Sequence, residues 1–113
     1  MAIRSSCGRL LVVEDPFVRS FVHSYLSRQG YDVVDADVEQ GLALLREPDS
    51  PIRLLITNQP QPFAEAGHVI PLIYVAASPD ESLVGSFSRW RTLEKPFQPS
   101  QLLHLVEEML KPA

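Results

Sequence analysis

Short apolar runs alternate with segments of helical period along this chain, and that alternation restricts the folds open to it. Leu10-Leu11-Val12-Val13, Leu54-Leu55-Ile56 and Leu72-Ile73-Tyr74-Val75 are apolar at every position. A strand without a polar face has to be covered on both sides, as in a parallel sheet flanked by helices. Strands are therefore expected at 10–14, 32–36, 52–57, 70–76 and 92–94. The segments between them carry helix signals. Asp15 is placed to cap a first helix, Pro16 fits its first turn and Gly30 ends it. Phe17, Phe21 and Tyr25 recur every four residues on that helix, as do Val18, Val22 and Leu26, giving an amphipathic stripe. Asp37 and Gln40 have capping-box spacing before the apolar Val38, Leu42 and Leu45. Residues 79–88 have room for a short helix. A last helix runs from Pro99 to Leu110 and turns Leu102, Leu103, Val106, Met109 and Leu110 inward. Strands and helices in this alternation imply parallel strands joined by right-handed crossovers.

A chain of 113 residues makes one small domain, expected over 8–112. With 45% hydrophobic and 21% charged residues, the composition is that of an ordinary globular protein. A net charge of -4 gives no basic footprint for nucleic acid. The first residues hold no apolar run of signal-peptide type, and no run reaches transmembrane length. Cys7 is the single cysteine, which excludes an internal disulfide or a cysteine metal cluster. His23, His68 and His104 have no ligand spacing, and His23 and His104 are expected on outer helix faces. No membrane partner is expected, and the features together place the chain in the cytoplasm.

The strand ends carry the chemistry. Strand 1 ends in Glu14-Asp15, strand 3 in Asn58, and Leu93-Glu94-Lys95-Pro96-Phe97 is a strand that ends in Lys-Pro. In that order, and over nearly the whole chain, these pieces resemble the receiver domain of two-component response regulators. The resemblance implies a CheY-like, flavodoxin-like (βα)5 three-layer α/β sandwich with strand order 2-1-3-4-5. Its active crevice lies at the switch point between strands 1 and 3. It also implies a signalling module rather than an enzyme. A working receiver holds Mg²⁺ with two acids and an acceptor aspartate, and a lysine neutralises the transferring phosphoryl group.

Carried onto this chain, the acid pair is Glu14 and Asp15 and the lysine is Lys95, which the family joins to its proline by a cis peptide bond. With no phosphate to hold, Lys95 is expected to form an ion pair with Glu14 or Asp15, and Asp15 to serve as the helix cap. The acceptor position falls on Asn58, an amide that is a poor nucleophile and has no charge. The hydroxyl position at the end of strand 4 falls on Ala76, and the switch aromatic falls on Thr92. The resemblance thus points to a degenerate phosphorylation site at Asn58, Ala76, Thr92 and Lys95, with a vestigial metal pair and no required cofactor.

Between Asn58 and Pro71 only residues 59 to 70 intervene, twelve in all. Pro60, Pro62 and Gly67 limit that stretch to a helical turn, so the family's third helix is expected to be deleted or vestigial. Each aliphatic side chain left uncovered forgoes roughly 1.5–3 kcal/mol. Phe63 and its neighbours therefore either fold back over the gap or present a surface to a partner or a second copy. Arg89-Trp90-Arg91 is a second candidate interface, because Trp and Arg are favoured at binding hot spots. These features describe a pseudo-receiver acting by phosphorylation-independent contact with a histidine kinase or another regulator, with a homodimer left open. Two rival readings stand beside it. One is a phosphate-accepting receiver with an unorthodox site. The other is a nucleotide sensor in which Arg89, Trp90 and Arg91 stack on and pair with an anionic ligand.

Overall fold

Five parallel strands run side by side in the order β2-β1-β3-β4-β5. The computed structural model describes residues 8–67 and 69–111, so Cys7 and His68 lie outside the described residues. The strands are β1 (Arg9–Val13), β2 (Asp32–Asp35), β3 (Ile52–Thr57), β4 (Leu72–Ala76) and β5 (Trp90–Glu94). Three α-helices flank them: α1 (Pro16–Arg28), α2 (Val38–Arg46) and α3 (Pro99–Leu110). This is the CheY-like, flavodoxin-like architecture that the alternation of apolar runs and helical segments implies.

Local chemistry accounts for the helix ends. Asp15 accepts the Val18 N–H and opens α1. Gly30, at φ 95°, closes it. There the Gly30 N–H reaches Ser27 O and the Tyr31 N–H reaches Leu26 O, which satisfies carbonyls that the helix leaves open. Asp37 and Gln40 form a reciprocal capping box at α2, with bonds of 2.8 and 3.1 Å.

Because side chains alternate along a strand, the apolar runs split into two cores. One face carries Leu10, Val12, Leu54, Ile56, Ile73 and Val75 and is covered by Val22 and Leu26 of α1 and Leu102, Val106 and Met109 of α3. The other carries Leu11, Val13, Leu55, Leu72 and Tyr74.

Among the described residues, the second face has one α-helix over it, α2. Between β3 and β4 stands a 3₁₀ helix, Gln61–Ala66, and between β4 and β5 another, Glu81–Val84. Pro62 in the first turn and the shortness of the connection keep the first from growing into an α-helix. Phe63, 1% exposed, swings back from it into the core. Its ring packs on α2 at Gly41, where an added Cβ would stand 3.3 Å from the ring and 3.0 Å from Val13. Ile70, Val84 and Phe87 complete the cover. Of the two roles open to Phe63, the structure takes fold-back. As an interface residue Phe63 is corrected: buried in the core, it offers a partner no surface. Phe63→Ala is expected to cost about 3–5 kcal/mol in urea denaturation, because the ring is one of the few side chains replacing a whole helix.

Candidate functional site

The crevice lies where β1 and β3 end. Val13 pairs with Thr57 in register, so the next residues, Glu14 and Asn58, stand side by side. Thr57 is buried, and its Oγ1 accepts the Gln59 N–H at 3.0 Å, which turns the chain out of the strand just past Asn58. Sequence reasoning passed over this hydroxyl, although a Thr at a strand end before a turn is its signature.

Lys95 reaches the crevice from the far side of the sheet. Ala76 pairs with Glu94 across β4 and β5, and Ala76 O accepts the Lys95 N–H at 2.9 Å. The Lys95–Pro96 peptide is cis. From that anchor Lys95 Nζ lies 2.9 Å from Glu14 Oε2 and 3.9 Å from Asp15 Oδ2. The Glu14 side chain is 0% exposed and that of Lys95 24%. Glu14 Oε1 accepts the Asp15 N–H at 3.0 Å, whereas Oε2 accepts no aligned hydrogen bond and is held by the lysine's charge. Asp15 is the cap of α1, with Oδ1 on the Val18 N–H. Asn58 Oδ1 is buried with no hydrogen-bond partner among the described residues. An unsatisfied buried acceptor of this kind costs about 1–3 kcal/mol.

The structure thus brings Glu14, Asp15, Asn58 and Lys95 together, with Ala76 as the backbone anchor of the lysine. Thr92 is half-buried on β5 opposite Tyr74, whose hydroxyl accepts the Asp80 N–H at 3.3 Å. Ala76 has only a methyl group at the strand end, so no hydroxyl is offered from that position.

Arg89 and Arg91 are committed elsewhere. Arg89 donates to the carbonyl oxygens of Glu108, Met109 and Lys111 at 3.2–3.3 Å, closing the C-terminus of α3, where a cation also meets the negative end of the helix dipole. Arg91 pairs with Glu108 at 3.0 Å. Trp90 is half-buried against the second core. Both guanidinium groups hold the sheet edge to α3, and with Trp90 they line an open cavity of about 630 Å³. The histidines add no ligand set. His23 is bonded to Asp35 rather than standing free on its helix face. Among the described residues no three His, Cys, Asp or Glu side chains converge.

No family model matches the sequence, and no curated protein matches it. Solved structures that resemble it include receiver domains. The receiver domain of the hybrid histidine kinase CckA is 26% identical with a TM-score of 0.73, over 92% of this chain and 100% of that one. The chemotaxis response regulator CheY4 of Vibrio cholerae is 23% identical with a TM-score of 0.70, over 90% and 98%. The receiver domain of the sensor histidine kinase PA1611 from Pseudomonas aeruginosa PAO1 is 18% identical with a TM-score of 0.70, over 91% and 97%. It was determined with magnesium coordinated in its active-site cleft. The present chain has the fold of these CheY-like receiver domains of two-component systems.

Beside the two acids and acceptor aspartate of a working receiver, these residues offer a divalent cation one negative charge fewer: Glu14 and Asp15 share the charge of Lys95, and the third position is the neutral amide of Asn58, whose Oδ1 is buried without a hydrogen-bond partner among the described residues.

Lys95→Met is expected to destabilise the fold by about 1–3 kcal/mol, because it strands the buried Glu14 carboxylate. The partial exposure of Lys95 keeps the cost below that of a fully enclosed pair. Glu14→Gln combined with Lys95→Met should cost less than the two single changes summed, with a coupling of about 0.5 kcal/mol or more in a denaturation double-mutant cycle.

Proposed function

We propose that this chain is a receiver-type domain that has lost phosphoryl transfer and acts by protein–protein contact within a two-component signalling system. The observation that carries the reading is the arrangement around Asn58. The position facing Glu14 and Lys95 holds an uncharged amide, and the lysine that would meet a phosphoryl group is paired with a buried carboxylate instead. An amide is too poor a nucleophile to attack phosphorus and brings no negative charge to offset that of a metal ion. The missing hydroxyl at Ala76 and the missing aromatic at Thr92 remove the groups through which a phosphate would be sensed. The domain performs no turnover of its own. Its partner class is a histidine kinase or another regulator. Within this reading Trp90 and Arg91 remain the proposed contact on the β5–α3 face, without Arg89, whose guanidinium is spent on α3.

Amide NMR with Mg²⁺ plus acetyl phosphate or beryllofluoride tests the reading. The resonances of Asn58, Ala76 and Lys95 are expected to stay in place, and mass spectrometry should find no phosphoryl adduct. A shift centred on those residues would overturn it. Asn58→Asp supplies the converse. A third carboxylate beside one lysine adds repulsion on the order of 2 kcal/mol. The melting temperature of that variant should fall in chelator and recover with Mg²⁺, while the unaltered chain responds to neither.

A further inference from the structure

The sheet ends at β5, and its one neighbour there is β4. Between these strands the Leu72 N–H reaches Arg89 O at 3.0 Å and the Lys95 N–H reaches Ala76 O at 2.9 Å. Backbone groups of successive strand residues point to opposite edges. Arg89, Arg91, Leu93 and Lys95 therefore face β4, while Trp90, Thr92 and Glu94 face away from it. Trp90 O is capped by the Arg91 guanidinium at 2.9 Å, which agrees with that direction. The Thr92 N–H and C=O have no partner among the described residues. Between β4 and β5 the described residues hold a 3₁₀ helix, Glu81–Val84, in place of an α-helix that could lie beside this edge.

The cavity of about 630 Å³ follows the same edge. It is lined by Glu81, Ser88 and the run from Arg89 to Thr92. Trp90 packs toward the second core, whereas Arg91 pairs with Glu108 on the α3 side of the sheet. A cavity that touches both has to run beside the strand rather than over one face. Unpaired strand groups along a recess are a template for one more strand.

Shape and charge define the occupant. A recessed edge admits a lone extended segment. The edge of a second whole sheet, flanked by its own helices, would have to enter between Glu81 and Arg91 to reach the same groups. Side chains of an added strand alternate between the two faces. On the α3 face Arg89 and Arg91 have one carboxylate between them, Glu108, because the bonds of Arg89 go to carbonyl oxygens. That wall keeps an excess of positive charge and suits acidic side chains. On the other face Trp90 offers an apolar surface.

We propose that β5 takes an extended segment of the signalling partner as a sixth strand, with acidic side chains toward the Arg89–Arg91 wall and apolar ones over Trp90. This rests on the reading that the domain acts by protein contact.

An amide NMR titration of the full chain with a capped hexapeptide alternating Glu and Val tests the proposal. The Trp90 and Thr92 amide protons should move downfield and exchange more slowly with solvent, as amides do when they gain a hydrogen bond. A Lys–Val peptide of the same length should bind about tenfold or more weakly, the scale of a like-charge contact. A fully N-methylated Glu–Val peptide should not bind, because it cannot complete the ladder. Thr92→Pro removes an outward N–H and no bond to β4, at the kind of edge position where a strand accommodates proline. It should keep its melting temperature and lose the peptide. The absence of a shift at Trp90 and Thr92 up to millimolar peptide, or equal binding of the N-methylated peptide, would overturn the sixth strand and leave the contact reading standing. A response of Asn58, Ala76 and Lys95 to beryllofluoride in the same sample would overturn that reading instead, whatever the peptide does.

Discussion

Both faces of the central strands are apolar, and everything else in this molecule answers to that constraint. Leu54, Leu55 and Ile56 in β3 and Leu72, Ile73 and Val75 in β4 leave no side of the sheet that water could wet. One face is covered by two long helices. The other has a single α-helix and two 3₁₀ turns, and it stays dry because Phe63, Val84 and Phe87 fill the volume that a helix would otherwise occupy. Gly41 belongs to the same solution, since its missing side chain makes room for the Phe63 ring on α2. The shortened connection between β3 and β4 is therefore accommodated by packing, and the hydrophobic core closes without a third layer of full helices.

Parallel register then decides which polar groups meet. All five strands end at the same edge, so Glu14, Asn58 and Lys95 arrive in one crevice although they are far apart in the chain. In a site of this geometry with an aspartate at the acceptor position, repulsion among three carboxylates would favour a metal ion. The amide of Asn58 removes one of those charges, and Lys95 offsets one of the remaining two. The ion pair at 2.9 Å is the local consequence. It also ties the end of β1 to the loop after β5. Arg89 makes a second such tie, with three bonds to the carbonyls at the end of α3.

Much of this was legible in the sequence. The apolar runs, the caps at Asp15, Asp37 and Gly30, and the prolines at 60 and 62 carry local signals, because backbone geometry and burial act over a few residues. The strand order, and the meeting of Glu14, Asp15, Asn58 and Lys95 in one crevice, came from the resemblance to receiver domains, since crossover handedness alone does not fix which strands are neighbours. Positions whose role depends on what lies across the fold were not legible. Phe17 and Phe21 share the helical period of a buried stripe, yet they stand outside it because α1 turns Val22 and Leu26 toward the sheet. Phe63 has the same character as an interface residue and as a core residue, and only the position of Gly41 separates the two. Arg89 and Arg91 look like a basic clamp until α3 is seen to end beside them.

By itself, the sequence determined the elements, their order and the chemical content of the crevice. Those follow from periodicity, turn residues and the identity of the side chain at each strand end. The tertiary structure alone decided that Lys95 sits nearer Glu14 than Asp15, which aromatic rings are covered and which are left in water, and how the gap over β3 and β4 is filled. Those outcomes depend on distances between residues remote in the chain, and distance is what burial, ion pairing and helix capping respond to.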